Sequence, residues 1–213
     1  MLPHRHGGSI TDLPKLKPLP SGEWDGEIAY LDRDGVLNIG RSDYVNSVDE
    51  LVVLEGAAAA VGRIRRSGYR VVIVTNQSPI GRGLWDHDRL AEIHDTLQAK
   101  LLEEDGDAFL DLVLYSPYAP WEGSWARKGN PGMLEVGRQL VEACEAGHQE
   151  IELDYKNRYQ PREEGSSFMV GDRDADMFAG SRHGVRTFRC DADIGIAGVV
   201  DRVLDSSDQG DMA

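Results

Sequence analysis

Several features that would assign this chain to a class of protein are scarce or missing. Cysteine is scarce: Cys144 and Cys190 are the only two, and they lie far apart in the sequence. The sequence therefore indicates neither a disulfide framework nor a cysteine-rich zinc site. No apolar run is long enough to span a bilayer, and the first residues lack the apolar segment of a signal peptide. We expect a cytoplasmic protein with no membrane partner.

Basic residues are also few. The chain has 23 Lys and Arg against 37 Asp and Glu, a formal net charge of −14. Because nucleic acids are held chiefly through neutralised phosphates, we expect no nucleic-acid partner. A small anionic substrate is compatible with this charge if basic residues or a metal ion are concentrated at one place. The acidic balance fits either a salt-rich environment or simple solubility.

The length and composition are those of one globular domain. The chain has 213 residues, of which 40% are apolar, enough for one core. Residues 1–25 are rich in proline, glycine and lysine and show no helix or strand period, which predicts a flexible N-terminal arm. We assign residues 26–205 to the domain body and residues 206–213 to a flexible C-terminal tail.

Apolar runs and amphipathic segments alternate along the body. The strand-like runs are EIAYL, YRVVIVTNQS, LDLVLYS, SSFMVGD and VRTFRC. The helix-like segments between them are GAAAAVGRIRRSG, DHDRLAEIHDTLQAKLLEEDG, PGMLEVGRQLVEACEAG and ADMFAGSRHG. This alternation predicts an α/β fold, a Rossmann-like three-layer sandwich with a central parallel sheet. Residues 148–167 exceed what this architecture needs; we interpret them as a solvated insertion, with a contact between subunits as the alternative.

Polar side chains follow the predicted strands at their carboxyl ends, where ligands bind in such sheets. Asp32 and Asp34 follow the first run, Thr75 and Asn76 the second, and Asp172 and Asp176 the fourth. The basic pair Arg127 and Lys128 precedes the third helix. Clustered carboxylates need a compensating positive charge. A hard cation such as Mg²⁺, which prefers oxygen ligands and binds phosphate, is the expected cofactor.

Four motifs then carry a resemblance to a known family. In order they are DRDGVLN, VTNQS, RKGNPGM and VGDRDADMFAG, and together they resemble the haloacid dehalogenase-like phosphatases. Within that superfamily the set looks most like the histidinol-phosphate and heptose-bisphosphate phosphatases. The match runs from about Ile28 to about Cys190. It implies the same sandwich fold with a minimal cap domain or none.

The resemblance implies a role for each carboxylate. Asp32 is expected to be the nucleophile that forms an aspartyl phosphate. Asp34 is expected to protonate the leaving group, so its surroundings should raise its pKa above the ordinary value of about 3.9. The Asp32 carboxylate, the Asp34 main-chain carbonyl and Asp172 are expected to hold Mg²⁺. Asp176 is expected to orient Lys128 or a metal-bound water.

The remaining expected roles concern the substrate. By the same resemblance, Thr75, Asn76 and Lys128 hold the transferring phosphoryl group. Arginine side chains are the candidates for contacts to a second, distal phosphate; they are Arg82, Arg127 and Arg173.

One segment departs from the family pattern. Relatives commonly have a Cys/His zinc loop before the third motif, whereas here YSPYAPWEGSWARKGNPGM contains no Cys or His. We therefore expect no structural zinc, and a loop held by packing of Trp121, Trp125 and prolines.

The expected function is Mg²⁺-dependent hydrolysis of a small phosphorylated metabolite, foremost a sugar bisphosphate such as D-glycero-D-manno-heptose 1,7-bisphosphate. Hydrolysis of histidinol phosphate or of a polynucleotide 3′-phosphate is the alternative within this chemistry. A catalytically inactive domain that only binds a phosphorylated ligand is a second alternative, and a structural or interaction protein is a third. The sequence is compatible with a monomer or a small homo-oligomer.

Overall fold

One six-stranded sheet forms the centre of the computed structural model, which describes residues 1–211. The strand order is β1-β4-β3-β2-β5-β6; strands β2 to β6 are parallel, and β1 is antiparallel to β4. The strand bounds are β1 His4–Arg5, β2 Ile28–Leu31, β3 Arg70–Asn76, β4 Leu112–Ser116, β5 Phe168–Gly171 and β6 Arg186–Arg189. The predicted parallel sheet is confirmed.

Five α-helices connect or follow the strands. Their bounds are α1 Ala57–Arg66, α2 His87–Glu104, α3 Gly132–Glu145, α4 Asp174–His183 and α5 Val200–Leu204. Helix α2 begins after Asp86, whose carboxylate accepts the Arg89 N–H at 3.0 Å. Helix α4 ends at His183 and is capped by Gly184, whose positive φ of 97° favours glycine. The four predicted helices are confirmed, and the short α5 was not predicted. Within residues 1–211, none of the helices is both long and apolar enough to cross a membrane.

The helices cover both faces of the sheet because the strand side chains alternate between the two faces. Ala29 and Leu31 of β2 join the core beneath α1, α2 and α5, whereas Ile28 and Tyr30 join the core beneath α3 and α4. All four side chains are fully buried. This pattern accounts for strands that are apolar throughout, since neither face meets water.

Strand order places a crevice at the carboxyl end of β2. The chain runs from β2 outward through β3 to β4, then returns to β5 on the other side of β2. Connections that leave one strand in opposite directions create a topological switch point, where such folds bind ligands. Asp32, the residue after β2, lies at this point.

The N-terminal arm lies on the body and extends the sheet. His4 pairs with Tyr115 and Arg5 with Leu114 at the edge of β4. Farther along, Leu19 is buried and Trp24 packs against the α3 face of the core. No strand was predicted here, because two residues are too few to show an alternating pattern. The division into arm, body and tail stays a prediction.

The insertion 148–167 is exposed over most of its length, in agreement with its interpretation as a solvated segment, but Leu153, Glu164 and Ser167 are buried and attach it to the body. Leu153 is buried in the core, and the main chain of Asp154 exchanges two hydrogen bonds with the Gln139 side chain, each 2.8 Å long. Glu164 is also buried, where it accepts a bond from His183 at 2.7 Å.

The tail lies partly within the described residues. The Asp211 N–H donates to the Thr187 carbonyl of β6 at 2.6 Å. Met212 and Ala213, which belong to the predicted C-terminal tail, lie outside the described residues.

A buried ion cluster joins α1, β3 and the loop before β4. The Asp111 carboxylate is fully buried, with Arg65 Nε at 3.2 Å and Arg70 Nη1 at 2.8 Å. It also accepts the Val71 N–H at 2.9 Å. The two cations and the amide compensate for the water that the carboxylate loses on folding.

Candidate active site

The carboxyl ends of the parallel strands border a cavity of about 330 Å³. Nine of the ten residues that the sequence analysis assigned to the site line it. The lining residues are Asp32, Asp34, Arg41, Ser42, Tyr44, Thr75, Asn76, Ser78, Arg82, Arg127, Lys128, Arg173, Ala175 and Asp176. The tenth, Asp172, belongs to an acidic cluster at the same edge of the sheet.

A buried lysine lies between two of the carboxylates. Lys128 Nζ is 2.5 Å from Asp32 Oδ1 and 2.7 Å from Asp176 Oδ1, and the lysine side chain is only 2% exposed. Burial alone would lower the pKa of Lys128, but the two carboxylates raise it above its ordinary value. Lys128 is therefore a fixed cation at the base of the cavity. Asp176 is held in turn by the Arg173 N–H, which donates to Asp176 Oδ2 at 3.1 Å.

Asp32, Asp172 and Asp176 form a cluster in which one oxygen of each lies within 4.8 Å of the others. Burial raises the pKa of Asp32 to about 7, in spite of the opposing charge of Lys128, and it also raises the pKa of Asp172. Asp172 Oδ1 is buried and has no hydrogen-bond partner within residues 1–211. An orphaned carboxylate oxygen in an all-oxygen donor set fits a hard divalent cation.

Two glycines make this cluster possible. A Cβ at Gly35, where φ is +79°, would stand 2.8 Å from the Asp172 carboxylate, and a Cβ at Gly171 would overlap the side chain of Asp176. Only glycine lets the main chain approach the carboxylates so closely. Gly35 belongs to the DRDG stretch, so the same motif supplies two aspartates and the space for a third.

Asp34 faces the cavity but lies outside the acidic cluster. Its carboxylate accepts bonds from Arg33 Nη2 at 2.9 Å, Asn38 Nδ2 at 2.9 Å and Gln77 Nε2 at 3.1 Å. Burial favours a raised pKa, but the charge of Arg33 and the three donors outweigh it, so the pKa of Asp34 is lowered. The expectation that the surroundings raise this pKa is wrong, because the buried arginine between the two aspartates was not taken into account.

The end of β3 supplies the hydroxyl and amide groups. Thr75 is buried, and its hydroxyl oxygen accepts a bond from Gln77 Nε2 at 2.8 Å. Asn76 Oδ1 accepts the main-chain N–H of Lys128 at 2.9 Å. Asn76 thus ties the strand end to the loop that carries the lysine. Neither Gln77 nor Asn38 was assigned a role from the sequence, although both stand inside the quoted motifs.

Four arginines face the cavity. Three of them, Arg82, Arg127 and Arg173, were predicted. Arg173 Nε lies 3.4 Å from Asp172 Oδ2, whereas the half-buried Arg127 donates to the Tyr118 carbonyl at 3.0 Å. The fourth, Arg41, was missed, because the loop after DRDGVLN has no strand or helix period to place it. Its side chain is held by Asp43 Oδ1 at 3.2 Å.

The loop 117–130 is organised differently from the expectation. Trp121 is 73% exposed and lies beneath the Arg82 guanidinium, with 5.1 Å between that group and the ring centroid. It therefore does not hold the loop by burial, and that expectation is wrong for Trp121. Trp125 does anchor the loop, since its Nε1 donates to Glu135 Oε2 at 3.0 Å. Within residues 1–211, the Asp32 cluster is the only group of three or more potential metal ligands found.

Comparison with known proteins places this arrangement in a family. No family model matches the chain. The D-glycero-beta-D-manno-heptose-1,7-bisphosphate 7-phosphatase of Pseudomonas aeruginosa is 38% identical over 115 residues, which are 54% of this chain and 62% of that protein. The D-glycero-alpha-D-manno-heptose-1,7-bisphosphate 7-phosphatase of Burkholderia mallei is 34% identical over 174 residues, 77% of this chain and 80% of that protein. The chain belongs to the haloacid dehalogenase-like phosphatases. Its branch is that of the heptose bisphosphate phosphatases.

Solved structures of HAD-like phosphatases have the same fold. The D,D-heptose 1,7-bisphosphate phosphatase from B. bronchiseptica, complexed with magnesium and phosphate, has a TM-score of 0.63 and 25% identity. That alignment covers 82% of this chain and 98% of the other. A HAD-like phosphatase from Mesorhizobium loti has a TM-score of 0.64 and 26% identity, with 94% of each chain covered. The chain spans only about three fifths of the length of several of its curated relatives.

Proposed function

We propose that this HAD-like phosphatase is a Mg²⁺-dependent phosphomonoesterase that hydrolyses a small sugar bisphosphate through an aspartyl phosphate. The observation that carries the proposal is the buried Lys128, held between Asp32 and Asp176 beside an acidic cluster at the switch point of the sheet. A purely structural ion pair would need neither a third carboxylate with an orphaned oxygen nor a place at the border of a cavity.

Mg²⁺ is proposed as the cofactor, with the carboxylates of Asp32 and Asp172 and the main-chain carbonyl of Asp34 as its ligands. Bound there, it would offset the repulsion between an anionic nucleophile and an anionic ester. The B. bronchiseptica structure is a complex with magnesium and phosphate, which supports this choice. We propose no structural zinc, because loop 117–130 contains no cysteine or histidine.

Asp32 is proposed as the nucleophile. Its Oδ1 accepts the Arg33 N–H at 2.7 Å and lies against Lys128, so we assign the attack on phosphorus to Oδ2. The bond from Oδ2 to phosphorus forms as the ester bond to the leaving alkoxide breaks. Thr75, Asn76 and Lys128 are proposed to bind the phosphoryl oxygens, which carry most of the charge in such a transition state.

Asp34 is proposed as the acid and base. In the second step it accepts a proton from the water that attacks the aspartyl phosphate, and Asp32 leaves as a carboxylate. Its lowered pKa keeps Asp34 ionised at neutral pH, which is the form that can accept this proton. The acid role in the first step requires that substrate binding weaken the contact with Arg33, so that Asp34 holds the proton that the alkoxide takes. Asp176 is proposed to orient Lys128.

The substrate is proposed to carry a second anionic group. Arg41, Arg82, Arg127 and Arg173 line one cavity in a chain whose net charge is −14. Such a concentration of guanidinium groups favours a bisphosphate and disfavours histidinol phosphate, whose amine is cationic. The acidic balance disfavours a polynucleotide. The names of the relatives support D-glycero-D-manno-heptose 1,7-bisphosphate as the first substrate to test.

The remaining features are proposed from the sequence alone: a cytoplasmic location, a monomer or small homo-oligomer, and no nucleic-acid or membrane partner. The test of the proposed function is phosphate release with and without Mg²⁺ from four substrates. They are heptose 1,7-bisphosphate, histidinol phosphate, a 3′-phosphorylated oligonucleotide and p-nitrophenyl phosphate. We expect Mg²⁺-dependent release with the highest kcat/KM on the bisphosphate. Higher kcat/KM on histidinol phosphate would refute the assignment of the arginines, and release from none would refute the proposed chemistry.

A further inference from the structure

Two tyrosine hydroxyls bind consecutive main-chain carbonyls of the N-terminal arm. Tyr118 Oη donates to the Leu2 carbonyl at 2.8 Å, and Tyr155 Oη donates to the Met1 carbonyl at 3.0 Å. The arm can serve as a fixed partner because β1 is paired with β4 and the His6 N–H donates to the Val113 carbonyl at 3.0 Å. Both hydroxyls are therefore anchored to the edge of the central sheet.

Only one of the two tyrosines, Tyr118, is bonded to a residue that lines the cavity. The main-chain carbonyl of Tyr118 accepts the bond from Arg127 Nη1 at 3.0 Å. The same residue is thus bound at its hydroxyl by the arm and at its carbonyl by the guanidinium. The rings of Tyr118 and His4 of β1 also form a T-shaped pair, with 6.1 Å between their centroids. Tyr155, in contrast, belongs to the insertion 148–167.

An arginine that recognises an anion gains most when its guanidinium is oriented before the ligand arrives. Arg127 has a long side chain and is only half-buried, so its orientation must come from a bond partner. Among residues 1–211, its side-chain hydrogen bond to the Tyr118 carbonyl is the one found. The segment that bears this carbonyl is held by the Gly81 N–H, which donates to the Pro117 carbonyl at 3.0 Å, and by the buried Ala119. The Tyr118 hydroxyl adds the bond that ties this segment to the arm.

We propose that Tyr118 is a positioning residue for substrate specificity: through its bond to the arm it orients Arg127 toward the distal anionic group of the substrate. The proposal rests on the proposed function, because it requires that Arg127 contacts a second phosphate. It also gives the arm a role in the site, as the support of the loop 117–130. Residues 1–6 and that loop form one functional unit with the end of β4.

The matched variants are Tyr118→Phe and Tyr155→Phe. Each removes one hydroxyl that donates to an arm carbonyl, and neither residue is placed in the catalytic machinery. If the arm contacts serve stability alone, the two variants should behave alike. If Tyr118 acts through Arg127, only Tyr118→Phe should alter the kinetics, and only toward a substrate with a distal phosphate.

The measurement is kcat and KM with Mg²⁺ for heptose 1,7-bisphosphate and for p-nitrophenyl phosphate, in a double-mutant cycle with Arg127→Ala. We expect Tyr118→Phe to raise KM for the bisphosphate about two- to tenfold with little change in kcat. That factor corresponds to one lost hydrogen bond of about 0.5–1.5 kcal/mol. KM for the monophosphate should not change, and Tyr118→Phe should have no further effect in the Arg127→Ala background.

Three results would contradict the proposal. Equal effects of Tyr118→Phe and Tyr155→Phe on KM would show that the bond from the Tyr118 hydroxyl to the arm serves stability alone. A change in KM that adds fully to that of Arg127→Ala would show that Tyr118 acts by another route. In both cases an active wild-type enzyme leaves the proposed function standing. A wild-type protein that is folded but releases phosphate from neither substrate would overturn the proposed function, and this proposal with it.

Discussion

Replacing Lys128 by methionine tests whether the buried cation compensates for the carboxylates around it. The side chains of Lys128 and Asp176 are 2% and 1% exposed, so the variant leaves buried negative charge without a partner. Breaking a buried pair on one side costs about 3–5 kcal/mol. At pH 8, Asp32 is mostly ionised in the wild type, since its pKa is raised to about 7. We expect Lys128→Met to lower the free energy of unfolding by about 3–5 kcal/mol at that pH in the presence of EDTA.

The assay is urea unfolding followed by circular dichroism, with Lys100→Met as control. Lys100 is exposed on α2, and its replacement should change the free energy of unfolding by less than about 0.5 kcal/mol. Mg²⁺ should restore part of the loss in Lys128→Met, about 1.4 kcal/mol once its concentration is about ten times Kd. A Lys128→Met protein that unfolds within about 1 kcal/mol of the wild type in EDTA would refute the reasoning, because the charges would then not be coupled.

Three further predictions concern the core and the metal cluster. Asp111→Asn leaves the buried Arg65 without a counter-ion, whereas Arg70 keeps Glu145 at 2.5 Å, and the variant should lower the free energy of unfolding by about 3–5 kcal/mol in urea titrations; a loss below about 1 kcal/mol would contradict this. Burial, and after it the charge of Arg33, holds the pKa of His94 well below its ordinary value. Below about pH 6.5 the unfolded chain therefore binds a proton that the folded chain does not. As the pH decreases further, the free energy of unfolding falls by up to about 1.4 kcal/mol per pH unit. His94→Phe should flatten this dependence between pH 7 and pH 5.5, and an unchanged slope would exclude His94 as its source. Gly35→Ala places a methyl group 2.8 Å from the Asp172 carboxylate, so the Mg²⁺ concentration for half-maximal phosphatase activity should rise about tenfold; an unchanged requirement would argue against Asp172 as a ligand.

Much of the fold was predictable because its signals are local and repeated. Strands buried on both faces are apolar throughout, and the helices between them have one apolar side. Right-handed crossovers then bring the carboxyl ends of the strands to one edge. Asp32, Thr75 and Asp172 could therefore be placed at one edge of the sheet without knowledge of the side-chain contacts of each residue.

The features that were not predicted depend on contacts between residues distant in sequence, or on loops that have no repeating apolar pattern. Strand β1 has two residues and exists because the edge of β4 is available to it. Arg33, between the two aspartates, was assigned no role from the sequence. Its guanidinium pairs with Asp34 and reverses the expected pKa shift. Arg41 is placed by a loop whose course no local pattern indicates.

The central claim is that Asp32 attacks phosphorus in a Mg²⁺-dependent reaction. The most direct test is the rate of phosphate release from heptose 1,7-bisphosphate by Asp32→Asn, compared with Asp88→Asn on the exposed first turn of α2. The account predicts that Asp32→Asn, still folded, loses at least about 10³-fold in kcat while Asp88→Asn retains the wild-type rate. Mg²⁺-dependent release by Asp32→Asn at a rate near that of the wild type would contradict it.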